Sequence, residues 1–307
     1  MDYRDGIAQA RVLLAVARRL HFGQAAEALG LRQSMVSEAI QSLEAQLGGR
    51  LFDRTSRRVS LTPLGQALLK DAEPPVNAIR SALADARKRA AGQRTEMLVG
   101  YLGGGFYELT AAVVAEFGRV RPDIALRFVE LSYLNQGSAV LEGKVDVALA
   151  RLPFATHSLA RGAILFQDAR TLVVPAGHRL CGQALVDPEE LQHECMVRLP
   201  AGAASEEWCN YHFPRSTPAG RLIADGPEIA TVREGLVAVA AAQGVMTLTS
   251  RARDYFAHPG IAFIEIDLPP IQSALTRRIF DHRAGIRDLE AAARTVAARV
   301  GTLGATQ

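Results

Sequence analysis

The stretch LGLRQSMVSEAIQSLEAQLG, residues 29–48, constrains the fold of this 307-residue chain more than any other. Val36, Ile40, Leu43 and Leu47 recur three or four apart, the stripe that a helix from about Gln33 to Leu47 would bury. Ser34, Ser37, Glu38 and Gln41 stand on the opposite face. Just upstream, GQAAEALG carries Ala25 and Ala26, small enough for close helix approach, and ends in Gly30, where a positive φ is cheap only for glycine. Ile7, Val12, Leu13, Val16, Ala17 and Leu20 predict a first amphipathic helix. A short helix, a glycine corner and a longer helix with a polar outer face is the helix-turn-helix arrangement, whose second helix enters the DNA major groove.

Beyond Gly48 and Gly49, Leu51 and Phe52 can close this small core, and Arg54, Arg57 and Arg58 crowd a turn before VSL. This pattern predicts a β-wing with arginines for phosphates or a narrow minor groove. The alternative is a structural three-helix subdomain with a solvated basic turn. Charge is distributed as a polyanion partner for the front would require: residues 1–92 hold 14 Lys and Arg against 9 Asp and Glu, leaving 21 against 23 for the rest. Charges interrupt the first twenty residues before any signal-like apolar core forms, and no apolar run is long enough for a membrane span. Three cysteines, Cys181, Cys195 and Cys209, do not make a disulfide framework, so a cytoplasmic protein is expected.

Thr62 and Pro63 predict the cap and first turn of a further helix, in which Leu64, Leu68, Ala72, Val76, Ile79, Leu83, Ala86 and Ala90 form a stripe suited to pairing two copies. Pro74 and Pro75 each lack a helical N–H, which predicts a kink or break at 73–75. From residue 94 onward, branched apolar runs (MLVGYL, IALRFVEL, VDVALARL, TLVVP, CMVRLP, VMTLTS) alternate with helical patterns. Such alternation implies parallel strands with helices on both faces, finishing with strands near IAFIEIDL and TRRIFDH and a helix from about Ile286.

The run FGQAAEALGLRQSMVSEAIQSLEAQLGGRLFDRTSRRVSLTPLG resembles the N-terminal domain of LysR-type transcriptional regulators. The paired alanines, Gln33, Val36-Ser37, Ile40, Leu43-Glu44, Leu47-Gly48, Leu51-Phe52, Arg54 and Leu61-Thr62-Pro63 followed by Gly65 all stand in the family's order. The resemblance implies an α/β protein with an N-terminal winged helix-turn-helix (1–65) and a dimerising linker helix (66–92). It further implies a two-lobed, Rossmann-like effector domain (93–307) resembling type 2 periplasmic binding proteins, lobe I at about 94–165 and 271–307, lobe II at about 166–270. Implied partners are an interrupted palindrome of double-stranded DNA, further copies in a dimer or tetramer, RNA polymerase and a small organic acid. Gln33, Ser34 and Ser37 would touch bases or phosphates, with Arg54 and Arg57 as wing contacts. Two positions depart from the family: Arg32 replaces a capping serine, and Glu38-Ala39 replaces a basic or amide pair. Glu38 can accept from cytosine N4, pair with Arg32, or simply be solvated.

In a two-lobed fold the ligand lies between the lobes at the carboxyl ends of the strands. Gly103, Gly104 and Gly105 before a helix offer backbone N–H groups for a carboxylate, or form only a tight turn. Ser132 and Tyr133 follow the second strand. Arg151 ends the third and is the foremost candidate to clamp a carboxylate, with an inter-lobe salt bridge as its alternative. Leu199, Pro200, Ala201 and Asp225 are candidate walls from lobe II. The resemblance leans to sensors of small aromatic or unsaturated acids, although Gly104 and Tyr133 replace a small hydroxyl residue there. His193, Cys195, Cys209 and His212 leave open a metal-responsive or redox-responsive regulator. No nucleophile elbow, zinc-protease motif, phosphate loop or dinucleotide fingerprint occurs, so neither an enzyme nor a cofactor is expected.

Overall fold

Apolar residues at helical spacing gather α1 (Gly6–Arg19), α2 (Phe22–Leu29) and α3 (Gln33–Leu47) around Val12, Leu13, Val16, Ala25, Val36 and Ile40. The computed structural model describes residues 6–54, 59–90, 95–153 and 158–301, which fall into two compact units, Met1–Ala91 and Gly92–Gln307. Gly30 ends α2 at φ 66°, its N–H turned back to the carbonyls of Ala26 and Glu27. The expected stripe of α3 is narrower than its spacing implies: Ala39 is buried beside Val36 and Ile40, whereas Leu47 lies exposed on the last turn. Ala39 therefore faces the core and is unavailable to DNA.

β1 (Phe52–Arg54) and β2 (Val59–Leu61) pair antiparallel as the wing. Glu44 anchors the path from α3 into it, one carboxylate oxygen accepting from the N–H groups of Leu51 (2.8 Å) and Phe52 (3.2 Å). Thr62 accepts from the Gly65 N–H (3.0 Å) and donates to the Arg50 carbonyl (2.7 Å), capping α4 (Pro63–Ala90). A Cβ on Gly65 would sit 2.1 Å from the Leu51 carbonyl oxygen, so this corner closes only with glycine. Of the kink or break expected at 73–75, the break does not occur: α4 runs through Pro74 and Pro75. The two missing donors are adjacent and thus confined to one turn, and that turn is braced against α1 by Glu73 on Arg18 at 2.5 Å.

The second unit contains β3 (Thr95–Leu102), α5 (Thr110–Val120), β4 (Ile124–Leu131), α6 (Ser138–Leu141), β5 (Val147–Arg151) and β6 (Leu159–Pro175). There follow β7 (Cys195–Arg198), α7 (Glu206–His212), β8 (Ala224–Glu228), α8 (Val232–Ala240), β9 (Met246–Thr249), α9 (Ala252–Tyr255), β10 (Ile261–Arg278) and α10 (Ala284–Val300). One sheet has the order β4-β3-β5-β10-β6-β9, and β7 pairs with β8. Parallel pairing, expected throughout, holds for β4-β3-β5 and β7-β8, whereas β10 is antiparallel to both neighbours and β9 is antiparallel to β6. The two strands expected near the C-terminus are one, β10, which pairs along β6 through both lobes with a register shift between Ile266 and Ile271, where Pro269 and Pro270 interrupt donation. α5 and α10 cover the sheet of one lobe around Val99, Phe117, Val147 and Leu289, and a second core gathers Leu172, Val197, Trp208 and Met246. Among the described residues no helix is long and apolar enough to cross a membrane.

Candidate functional site

The outer face of α3 presents Gln33, Ser34, Glu38 and Gln41 exposed and Ser37 half-buried. Arg32 occupies the N-cap without a side-chain cap and its carbonyl takes the Met35 N–H at 3.1 Å, so the Gln33 and Ser34 N–H groups are the ones left for an external acceptor such as phosphate. Glu38 has no ion pair to Arg32 among the described residues, which leaves its carboxylate free to face a base edge or solvent. Arg54 ends β1, with its backbone opposite Val59. Arg57 and Arg58 lie outside the described residues. The role of Glu44 in holding the wing had no sequence signal beyond its place in the family pattern.

In the second unit, β3, β4 and β5 converge at their carboxyl ends. Arg151, at the end of β5, is 6% exposed. Its guanidinium makes one long contact, Nη2 to the Tyr107 hydroxyl at 3.4 Å, and no ion pair among the described residues. Tyr133 is 1% exposed, its ring packed on Trp208 and Phe213, and its hydroxyl has no partner among the described residues. Burial pushes the Tyr133 phenol up to about 12, partly opposed by the positive charge of Arg151, so it is a neutral donor at this spot.

The glycine loop is a tight turn with a specific purpose. Gly103 and Gly105 adopt φ 59° and 60°, and the Gly105 N–H is committed to the Leu102 carbonyl. A Cβ on Gly104 would lie 2.1 Å from the Tyr107 ring, so the glycine makes room for that ring rather than for a ligand alone. Tyr107 itself holds φ 50°, a left-handed backbone unusual for an aromatic residue. Its hydroxyl bonds Thr249 Oγ1 at 2.8 Å and its ring contacts Phe166 and Tyr255. Arg251 bonds both Glu108 and Asp168, the latter at 2.7 Å. Burial raises the Asp168 carboxyl despite that arginine. Tyr107, Glu108, Thr249 and Arg251 carry no motif, and only the folded chain brings them to Arg151.

The lobe II candidates divide. Leu199 is buried and Pro200 accepts from the Ala203 N–H, turning the chain into α7. Ala201 is exposed on that turn. Ser132 is half-buried at a corner whose N–H donates to Asn135 Oδ1 at 2.9 Å. Asp225 is not brought to Arg151. It is 60% exposed and tied to Arg198 and to Arg215 at 3.3 Å, and those arginines hold its carboxyl below the usual range.

The metal set is not assembled: among the described residues no three His, Cys, Asp or Glu side chains are grouped to hold an ion. His193 and Cys195 are exposed, whereas α7 turns His212 inward, where Nε2 donates to the Leu152 carbonyl at 3.1 Å. Burial, reinforced by Arg170 and Arg151, depresses the His212 pKa well below its ordinary value. The cysteines are free thiols, and burial raises the Cys209 pKa. Cys195 opens β7 on its exposed side.

Residues 7–66 match the family described as bacterial regulatory helix-turn-helix protein, lysR family, and residues 98–295 match the LysR substrate binding domain. A probable hydrogen peroxide-inducible genes activator of Mycobacterium xenopi is 38% identical over 190 residues, 60% of this chain and 97% of that one. The fold is similar to a full-length OxyR variant from Pseudomonas aeruginosa (TM-score 0.63, 22% identity, 98% of each chain). It is also similar to full-length CbnR complexed with its target DNA (TM-score 0.58, 19% identity, 96% of this chain and 100% of that one).

Proposed function

This chain belongs to the LysR family of DNA-binding transcriptional regulators, and we propose that a small organic acid held at Arg151 controls its action on DNA. The observation that carries this reading is a buried guanidinium with no carboxylate partner among the described residues. A charge in that position is costly unless an anion compensates it, and a carboxylate can accept from it bidentately. The Tyr133 phenol supplies a further donor, and Phe166 and Tyr255 supply apolar walls that suit an unsaturated or aromatic acid. Tyr107 and Glu108 on one side bond Thr249 and Arg251 on the other, so a ligand that displaces Tyr107 changes how the lobes are held.

On the DNA side, Gln33, Ser34, Ser37, Glu38 and Gln41 read the major groove, and the wing arginines Arg54, Arg57 and Arg58 engage phosphates. The exposed Ile79 and Leu83 of α4 pair two copies, which present two recognition helices to an interrupted palindrome. Assembly into a tetramer, contact with RNA polymerase and a cytoplasmic location belong to the same reading. The name of the M. xenopi relative, a probable hydrogen peroxide-inducible genes activator, favours a second one, a redox-responsive regulator using Cys195 or Cys209. The raised pKa of Cys209 counts against that thiol, because the reactive species is the thiolate, and leaves the exposed Cys195 as its candidate.

Arg151→Ala tests the assignment. Operator binding without ligand is expected to persist, and the change in binding or bending produced by aromatic and dicarboxylic acids to disappear. An undiminished acid response would overturn the site. A response to peroxide that is lost in Cys195→Ser or Cys209→Ser would establish the second reading instead.

A further inference from the structure

We propose that Gly23 and His21, at the start of α2, decide which base Gln33 reads. They hold the Gln33 amide with its oxygen turned back on α2 and its NH2 group outward, which selects guanine over adenine. Given that Gln33 faces the major groove, as its proposed role requires, they act through its orientation and touch no base.

Gln33 is the first residue of α3, and its side chain lies over the first turn of α2. A Cβ on Gly23 would stand 3.4 Å from Gln33 Oε1 and 3.1 Å from Cε1 of the His21 ring. Any side chain at position 23 would crowd both groups, and glycine leaves a seat between them. The backbone does not ask for this glycine: unlike Gly30, Gly23 has no positive φ and lies inside the helix. Glycine there is a destabilising choice relative to alanine, so the space beside it is what the choice provides. The His21 ring is the fixed wall of the seat. His21 is the N-cap of α2, and its Nδ1 accepts from the Gln24 N–H at 3.2 Å.

The same turn decides which end of the amide faces it. The Gly23 N–H has no acceptor among the described residues, so the first turn of α2 presents the positive end of the helix dipole. That field draws the amide oxygen towards α2 and turns the NH2 group away. A glutamine with both amide atoms free bonds adenine bidentately at N6 and N7. With its oxygen turned to α2, Gln33 offers donors only. Guanine presents two adjacent acceptors, N7 and O6, whereas the adenine N6 amino group would meet the Gln33 NH2 donor against donor.

The test is a binding-site selection from a random duplex library, with the full-length wild type, Gln33→Ala, Gly23→Ala and the double variant. The wild-type site should hold a guanine that Gln33→Ala no longer requires. Gly23→Ala should move the same base pair towards adenine, changing the guanine-to-adenine ratio about tenfold or more. The double variant should match Gln33→Ala, because Gly23 acts only through Gln33. Gly23→Ala should melt at or above the wild-type temperature, since alanine favours the helix and the groups it displaces are ends of exposed side chains. His21→Ser keeps a capping oxygen but removes the ring, and should weaken the guanine preference too; it decides the matter if Gly23→Ala melts lower. An unchanged ratio in Gly23→Ala would overturn the proposal. So would a Gly23→Ala effect that persists in the absence of Gln33, or adenine in the wild-type site at the pair that Gln33→Ala relaxes. If Gln33→Ala changes no position, Gln33 is not a base reader, and the proposal falls together with that assignment.

Discussion

Replacing Arg151 by methionine separates an anion site from a structural salt bridge, because the two predict opposite signs of stability change. Methionine keeps the apolar stem but removes the charge. An ion-paired buried arginine, once deleted, abandons its partner and costs about 3–5 kcal/mol. Arg151 has no such partner among the described residues, only the 3.4 Å contact to the Tyr107 hydroxyl, longer than a good hydrogen bond. That contact is worth at most about 1 kcal/mol, whereas holding a 6% exposed cation away from water costs several kcal/mol, partly returned by the field of Asp168. The difference leaves Arg151→Met more stable by about 1–2 kcal/mol. For a unit of this size that raises the melting temperature by about 2–8 °C. Trp208 fluorescence follows the transition in the full-length chain, since the tryptophan lies in this unit. An acid present at about 100 times its dissociation constant should stabilise wild type by about 2.7 kcal/mol and the variant not at all. A fall of several degrees in the ligand-free variant would refute the reasoning and make Arg151 a structural tie.

Gly65→Ala should destabilise the DNA-binding unit by about 1–3 kcal/mol, despite the usual gain of alanine in a helix, because its Cβ meets the Leu51 carbonyl oxygen. A melt of this variant at or above the wild-type temperature would contradict that. His212 stays neutral in the folded state below its ordinary pKa, so acidification charges it only on unfolding. Its contribution is full above the unfolded pKa of about 6.5 and is lost as pH falls below it, at up to about 1.4 kcal/mol per unit. Denaturant titrations at pH 7.5 and 5.5 should show this loss in wild type and not in His212→Asn. Glu38→Ala should relax operator preference at one base pair if the carboxylate accepts from cytosine, and should tighten binding to all sequences alike if it only repels phosphate. A binding-site selection with both proteins distinguishes the two.

Much of the architecture was legible from local patterns. The stripe of α3, the glycine at φ 66° after α2 and the Thr62 cap of α4 all follow from interactions within a few residues, which sequence spacing encodes directly. Where several elements meet, the same spacing misled. Leu47 continues the α3 stripe yet lies exposed, because the core ends before it. Two prolines do not break α4, because α1 braces the turn that they weaken. The final strands fuse into β10 because β6 offers a continuous partner along both lobes.

Arg151 could be placed at a strand end from the chain alone, as could the glycine loop. That its guanidinium has no ion pair among the described residues, that Tyr107 fills the space Gly104 leaves, and that Asp225 serves Arg198 instead were decided by tertiary packing. Residues far apart in the chain, such as Tyr107 and Thr249, meet only once the lobes form. Helix and turn preferences are local free energies and can be read one segment at a time. The chemistry of this crevice depends on which polar groups remain unpaired after every segment has packed, a property of the whole fold.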